Sequence, residues 1–461
     1  LTPRPSPRLV LFITTVSAFC TSFAASSVNV ALPLIGTEFH LGGVALNWVV
    51  TAFVLTSAVL IMPLGRLGDL YGRQRIFSWG MGVYLVGSLA GALSPDAVWL
   101  TASRAFTGVG AAMAFGTVTA VLVAAYPPQE RGRVLGINVA MVYLGLSVGP
   151  VLGGLVTQAW GWRTLLFTHV GLSLLVVVLV VLRLKGNDKE SHHEGFDLVG
   201  SGLYALGLAA VVVGVSNLPG PWGWGLIALG ALGLTGFWVF ESRAKSPILA
   251  VTQFTKNRTF AFSNLAAMIS YSATFAVVFF LSLYLQVVRG LSPGWAGTLL
   301  VAQPLVQAVF SPVTGRLSDR VSPRLLASTG MGLTALGLAG LSLLDASTPL
   351  GWVLGDLVLL GLGFALFSSP NTNAIMGSVE KRDLGLASAT VATMRVIGQM
   401  VSMALALVLL SLILGTAAVT PQTADLFLTA QRWGFGLSAV LCGLGILASL
   451  ARGSSRAKGE A

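Results

Sequence analysis

Two arginines inside long apolar runs are the first residues of this chain whose chemistry calls for a partner. Arg104 lies about two helical turns into one run, and Arg395, in Thr393-Met394-Arg395-Val396-Ile397-Gly398-Gln399, lies near the middle of another. Charge at the centre of a hydrocarbon layer is costly and is expected to face a protein interior or a wet cavity. A guanidinium stays charged in proteins, so either arginine could pair with an anionic group or tune a neighbour, but neither is a proton carrier. The acids cluster at the ends of the runs. Asp356 is the most deeply placed of them, about two turns in, and with Asp69, Glu38 and Arg104 it makes up the set of coupling candidates. Polar, aromatic and thioether positions within the runs mark a candidate substrate cavity: Asn29, Asn47, Tyr143, Tyr271, Gln303, Gln307, Phe367, Asn371, Gln399 and Met403, together with Arg395. Methionine and aromatic surfaces suit adaptable binding of apolar ligands. Each of these residues taken alone fits helix packing equally well.

Other chemistries lack their residues. His192-His193 with Glu190 and Glu194 lie in a polar stretch and read as a solvated loop, so no metal site is expected. There is no GxxxxGK[ST] phosphate loop to drive an ATP-powered pump, and no HExxH or Ser/His/Asp arrangement on a recognisable scaffold. Neither an enzyme nor a cofactor is therefore expected. Cys20 and Cys442, both within apolar runs, read as buried reduced thiols. A lone histidine such as His169 reads as a hydrogen-bonded structural residue.

The elements that must position these residues are legible from composition. Only 9% of the 461 residues are charged and 55% are apolar, with a mean hydropathy of +0.84. Ordinary soluble domains carry about 25% charged residues. The apolar runs are each close to the ~20 residues that cross ~30 Å of hydrocarbon as a helix, the form that satisfies its own backbone there. About fourteen such runs fit between residues 9 and 451, and the fold class is all-α integral membrane. Arg4 and Arg8 precede the first run, which is too long for a signal h-region and reads as a span.

Polar stretches at 183–196 and 242–258 divide the chain. The plan is six helices at 9–182, an inserted pair at 197–241, six helices at 259–451 and a tail at 452–461. Placing the N-terminus in the cytoplasm puts 22 of the 27 Lys and Arg on that side and three outside. That is the positive-inside pattern of a cell membrane protein with both termini cytoplasmic. It also accounts for the net charge of +11 without nucleic acid, because the basic residues are dispersed over short loops. GRLGDLYGRQR (Gly65 to Arg75) after the second run is echoed by GRLSDRVSPR (Gly315 to Arg324) after the second run of the last six. The same element in the same place in both halves is what parallel repeats predict.

Gly65 to Arg75 resembles the G-x-L-a-D-r-x-G-r-k loop of the major facilitator superfamily, and its echo carries Gly315 and Asp319. Arg104 to Ala112 resembles that family's fourth-helix motif, with Thr107 where Gln is usual. Gly145-Leu-Ser-Val-Gly149-Pro150-Val-Leu-Gly153-Gly154 resembles the fifth-helix antiporter motif, and Phe23 to Pro33 resembles the first-helix motif of the fourteen-helix drug:proton antiporters. The resemblance covers nearly the whole chain. It implies two six-helix bundles, a gating role for Gly65, Asp69 and Arg73, and export of amphipathic or cationic compounds by proton antiport. Gly145, Gly149 and Gly153 share one helix face, and with Pro150 they are expected to form a pliable seam between the halves. The expected partners are an amphipathic small molecule, protons and the bilayer, with the chain acting as a monomer.

One departure concerns coupling. The first-helix motif normally carries Asp five residues before its Asn, and here that position is Ala24. Two readings follow within the same fold: a drug:proton antiporter coupled through another acid, or a carrier or facilitator of anionic amphiphiles or lipids. A membrane-embedded enzyme or structural protein is the third class, and it lacks a catalytic constellation.

Overall fold

A computed structural model describes residues 6–41, 43–183, 195–218, 220–244, 248–249, 251–415 and 419–452. The His192-His193 cluster, most of the 183–196 stretch, nearly all of the 452–461 tail and the Asn47 side chain lie outside the described residues. Everything described is helical or connecting. The first six long helices are α1 (Pro7–Glu38), α2 (Gly43–Tyr71), α3 (Arg73–Ala92), α4 (Ala97–Ala125), α5 (Arg131–Trp160) and α6 (Trp162–Arg183). The inserted pair is α7 (Leu198–Ser216) and α8 (Pro221–Glu241). After the short α9 (Val251–Lys256) come α10 (Arg258–Thr274), α11 (Val277–Leu283), α12 (Pro293–Leu300), α13 (Ala302–Ser318), α14 (Pro323–Ser342), α15 (Leu350–Gly377), α16 (Leu384–Leu414) and α17 (Ala424–Leu450).

Among the described residues, thirteen helical stretches are long and apolar enough to cross a membrane. The third expected span is the one outside that set. α3 is a full 20 residues and packs along α4 and α6, but Arg73, Gln74 and Arg75 in its first turn dilute its apolar character. Two further expected spans are interrupted. The run at 259–287 is α10 and α11, parted at Phe275–Ala276 and closed by a π-helical turn at Tyr284–Val288. The amide freed at the break is satisfied from outside the helix, since Ala276 N–H donates to the Ser402 hydroxyl of α16 at 3.0 Å. The run at 294–315 is α12 and α13, parted at Val301. Pro304 stands four residues beyond Leu300, where its ring crowds the carbonyl and supplies no N–H.

Helix starts follow the local sequence. Asp96 accepts from Trp99 N–H at 2.7 Å at the head of α4, Asp197 from Gly200 N–H at 2.8 Å at α7, and Asn257 from Phe260 N–H at 3.0 Å at α10. Each satisfies one of the orphan donors of a first turn. α2 passes to α3 through Gly72 alone, whose φ of 103° is open to glycine at little cost.

Packing sorts the helices. α1 lies on α5, α2 and α3 on α4, and α3 on α6; in the last six, α14 lies on α15 and α17, α13 on α15, and α10 on α16 and α17. The two sets meet along α5–α13 and α2–α16, two seams on opposite sides of the centre. α7 and α8 form a hairpin whose α7 face rests on α2 and α16.

Gly145, Gly149 and Gly153 do not form the expected seam between the halves. They face α1 within the first six helices: a Cβ on Gly145 would stand 2.7 Å from the Phe19 carbonyl oxygen, and one on Gly153 would stand 2.8 Å from Ser27 Cβ. Gly154 meets only Val30 of α1, at 3.4 Å. The glycines that let the halves touch are others. A Cβ on Gly132 or Gly136 of α5 would run into the carbonyl oxygens of Gly315 and Ser311 of α13, and one on Gly65 of α2 into Ala389 of α16.

Candidate functional site

Charges at the ends of the seams hold the halves together on the face that carries the basic loops. Asp69, at the end of α2, accepts from the N–H groups of Gly385 at 2.9 Å and Leu386 at 2.7 Å, the first turn of α16. Asp319, just past α13, accepts from Gly132 N–H at 2.7 Å and Arg133 N–H at 3.0 Å, the first turn of α5. In each half the second helix therefore ends in an acid that caps the fifth helix of the other half. A carboxylate there meets orphan N–H donors and the positive end of the helix dipole. Arg73 completes one cap. Its Nε donates to Asp69 at 2.7 Å, and a terminal nitrogen donates to the Arg382 carbonyl at 2.9 Å and to the Lys381 carbonyl. On the opposite face the ties among the described residues stay within a half: Glu38 of α1 accepts from Trp162 and Arg163 of α6, each at 2.6 Å, and Tyr284 donates to the Asp345 carbonyl at 2.7 Å. The Trp162 indole and the Arg163 guanidinium hold the Glu38 carboxyl below its usual range.

Between the seams lies a cavity of about 70 Å³. Phe115 and Thr119 of α4, Asn138 and Tyr143 of α5, Tyr271 of α10, Ser368 and Thr372 of α15, and Ser388 and Arg395 of α16 line it. Drug-sized pockets run to about 300–1,000 Å³, and one water occupies about 30 Å³. The space is sized for a few waters, well below a drug-sized pocket. Its walls mix aliphatic and small polar side chains with the aromatic rings of Phe115, Tyr143 and Tyr271. Phe364 of α15 meets the Tyr271 ring at 5.4 Å and the Tyr143 ring at 6.0 Å, both edge to face, and the Arg395 guanidinium sits 5.4 Å from the Phe115 ring centre. Gln307 of α13, buried, is a polar neighbour of Tyr143.

The other sequence candidates lie elsewhere. Asn29 is exposed on the later part of α1. Gln303 stands at the start of α13 beside the break at Val301, its side-chain oxygen buried without a partner. Asn371 is buried and donates to the Ser263 carbonyl at 3.1 Å, tying α15 to α10. Phe367 packs with Ala266, Ala267, Ala327 and Met331. Gln399 and Met403 are half-buried on α16 beyond Arg395, and Met403 packs against the core of the last six helices. None of these six lines the cavity.

Sequence reasoning missed Asn138, Phe115, Thr119, Ser368, Thr372, Ser388 and Phe364. Helical spacing was the available signal. Leu135, Asn138, Val139, Val142 and Tyr143 recur at three- and four-residue intervals, as do Ser388, Val391, Ala392 and Arg395, and each set shares a face.

The coupling candidates are scattered. Arg104 is buried between α4 and α2, where Nε donates to the Val49 carbonyl at 3.2 Å and the guanidinium lies 4.5 Å from the Phe53 ring centre. Ala24 is fully buried against Phe53, Tyr84 and Ala111, leaving the usual first-helix carboxylate position filled by apolar packing. Asp356 faces α14, its oxygens 2.6 and 2.8 Å from where a Cβ on Gly340 would stand, and one of them has no partner. His169 shares a hydrogen bond with Ser27 at 3.0 Å.

A two-half helical body with a central cavity and reciprocal capped seams has clear counterparts among known proteins. The chain is 29% identical to the riboflavin transporter RibZ of Clostridioides difficile, covering 84% of each protein. It is 32% identical to the multidrug resistance protein Stp of Mycobacterium tuberculosis, covering 86% of this chain and 74% of that one. The structure of the human organic anion transporter MFSD10 superimposes with a TM-score of 0.68 over 97% of this chain and 100% of that one, at 12% identity, a likeness of fold. The Major Facilitator Superfamily model matches residues 14–296 and 263–460. With the duplicated loop, the capped seams and the central cavity explained together, the chain belongs to the major facilitator superfamily and is a multi-pass membrane transporter, not an enzyme.

Proposed function

We propose that the protein exports amphipathic, drug-like compounds by alternating access between its two six-helix halves. The observation that carries this reading is the part-aromatic cavity between halves that touch through glycine and, among the described residues, are latched by backbone caps on one face. Such a contact is a two-state element: it closes fully or parts as a rigid-body movement, the mode of transporters built from repeats. The basic face lies in the cytoplasm by the loop charges, which places both termini there and makes this the state shut toward the cell interior. The protein works as a monomer in the cell membrane. Likeness to a riboflavin transporter and to a multidrug resistance protein supports the substrate class.

Proton antiport is the coupling that the resemblance implies. The acids placed to sense a proton during the movement are Asp69 and Asp319 at the seams, with Asp356 buried inside the last six helices. The apolar packing around Ala24 favours a second reading, a carrier that runs without protons. Liposomes holding the purified protein and a panel of amphipathic dyes separate the two. Accumulation that follows an imposed proton gradient supports antiport. Equilibration indifferent to the gradient supports the facilitator. No movement of any dye would sink the assignment to amphipathic cargo.

A further inference from the structure

The two membrane-embedded arginines have different surroundings. Arg104 donates to the Val49 carbonyl and lies against the Phe53 ring in a packed interface away from the cavity, where its one unpartnered terminal nitrogen has no room for a ligand. Arg395 opens onto the cavity, and among the described residues its guanidinium makes no hydrogen bond or ion pair; it lies against the Phe115 ring with Tyr143 nearby. No Asp or Glu stands among the lining residues. Neutral groups complete the wall, and two of them are buried with spare capacity: the Ser388 hydroxyl and the Asn138 side-chain oxygen have no partner. Arg395 is half-buried in a membrane helix, where a cation with no counter-charge beside it is unfavourable. An anionic ligand head relieves that state, and a cationic one aggravates it.

We infer that the central cavity is an anion subsite, in which Arg395 takes the carboxylate-type head of a flat aromatic amphiphile while Tyr143 and Tyr271, backed by Phe364, hold its ring system. The inference rests on the export reading above and names the charge of the cargo within it. An arginine fork matches a two-oxygen anion in geometry as well as charge. The edge-to-face contacts of Phe364 at 5.4 and 6.0 Å hold the Tyr271 and Tyr143 rings at the cavity wall, where a planar guest meets them once the halves part. The ligand then stands where α16 meets α5 and α15, touching both halves, so that its occupancy bears on their separation.

The test uses three probes with one ring system and different heads: pyrenebutyric acid, its methyl ester and pyrenebutylamine. Binding to the full chain in nanodiscs is followed by energy transfer from protein tryptophan to pyrene. The acid is expected to bind at least about tenfold more tightly than the ester, the size of one charge-assisted hydrogen bond, with the amine the weakest. Arg395→Gln should weaken the acid far more than the ester and so bring the two together, while Arg395→Lys keeps most of the preference. Equal binding of all three, tighter binding of the amine, or a preference that survives Arg395→Gln overturns the anion subsite and leaves the export reading standing. Failure of all three to bind the unmutated protein overturns both. Should Arg395→Gln lose the ester as well, through misfolding, the order of the three probes on the unmutated chain and on Arg395→Lys decides.

Discussion

At the α2–α16 seam the capping acid is held by an arginine; at the α5–α13 seam its counterpart is held by an asparagine. Asp69 receives Arg73 at 2.7 Å, whereas Asp319 receives the Asn373 amide at 3.4 Å. The duplicated loop explains the difference, because the position of Arg73 in the first copy is Pro323 in the second. The α2–α16 seam has a further brace from the inserted pair. The buried Tyr204 of α7 donates to the Ala58 carbonyl of α2 and shares a hydrogen bond with the Thr393 hydroxyl of α16, each at 3.2 Å. One seam is thus clamped by charge and by a third party, and the other by close backbone packing with a single acid. A pseudo-symmetric machine whose seams differ in this way should open unevenly, the α5–α13 seam with less resistance.

The largest expected effect comes from removing the close approach. Gly132→Val puts two methyl groups where the Gly315 carbonyl now stands. Overpacking at such a contact costs about 3 kcal/mol, enough to shift the closed-to-open ratio by about a hundredfold. Spin labels on the exposed Arg133 and Arg320 should report a wider α5–α13 distance, with labels on the exposed Tyr71 and Arg382 moving less. Equal widening at both pairs would show that the seams open as one and that their different bracing has no consequence.

Next in size is the contrast between the two acids. Asp69→Asn leaves Arg73 with a largely buried, unmatched charge and removes an acceptor from the head of α16; a cost of about 2–3 kcal/mol is expected. Asp319→Asn keeps one acceptor and sheds the penalty of half-burying a carboxylate, so about 1 kcal/mol or less is expected. Thermal unfolding of the two variants and their label distances check the ranking, and a larger effect at Asp319 would reverse the comparison. Tyr204→Phe follows: loss of one hydroxyl that serves both halves costs about 0.5–1.5 kcal/mol, read as a widened Tyr71–Arg382 distance with the Arg133–Arg320 distance unchanged.

The sequence made the two loops legible because their chemistry is local: glycine, acid and arginine at fixed spacing at the end of an apolar run. It also made Arg395 conspicuous, since charge inside such a run demands a partner. Spacing alone did not say what each face meets. Gly145, Gly149 and Gly153 define a small-residue stripe equally suited to a neighbour in the same half or in the other, and only the packing shows that α1 takes it. Asp356 was singled out by depth, yet depth carries no direction, and its carboxyl points at α14 instead of the centre. Asn138 and Ser388 went unnoticed because a neutral polar residue in a membrane helix is ordinary until its face is known to line a cavity. The function of the inserted pair left no local trace at all. Tyr204 becomes a brace only once α2 and α16 are brought together beside it.

The smallest expected effect is that of pH on the weaker seam. Burial pushes the Asp319 carboxyl above its ordinary value and the nearby Glu130 adds to this, while the Gly132 and Arg133 amides and the Asn373 side chain pull the other way without cancelling it. The closed seam therefore binds the Asp319 proton more tightly than an open, solvated one. Its contribution to closure is fully present below the ordinary carboxylate value and is lost as pH rises through the raised one. Lowering the pH from neutral toward the ordinary carboxylate range should raise the closed fraction at Arg133–Arg320. Asp319→Asn should flatten that dependence while leaving the seam formed. A dependence of opposite sign would mean that the backbone caps outweigh burial and that the α5–α13 seam, like the Arg73-braced one, relies on an ionised acid.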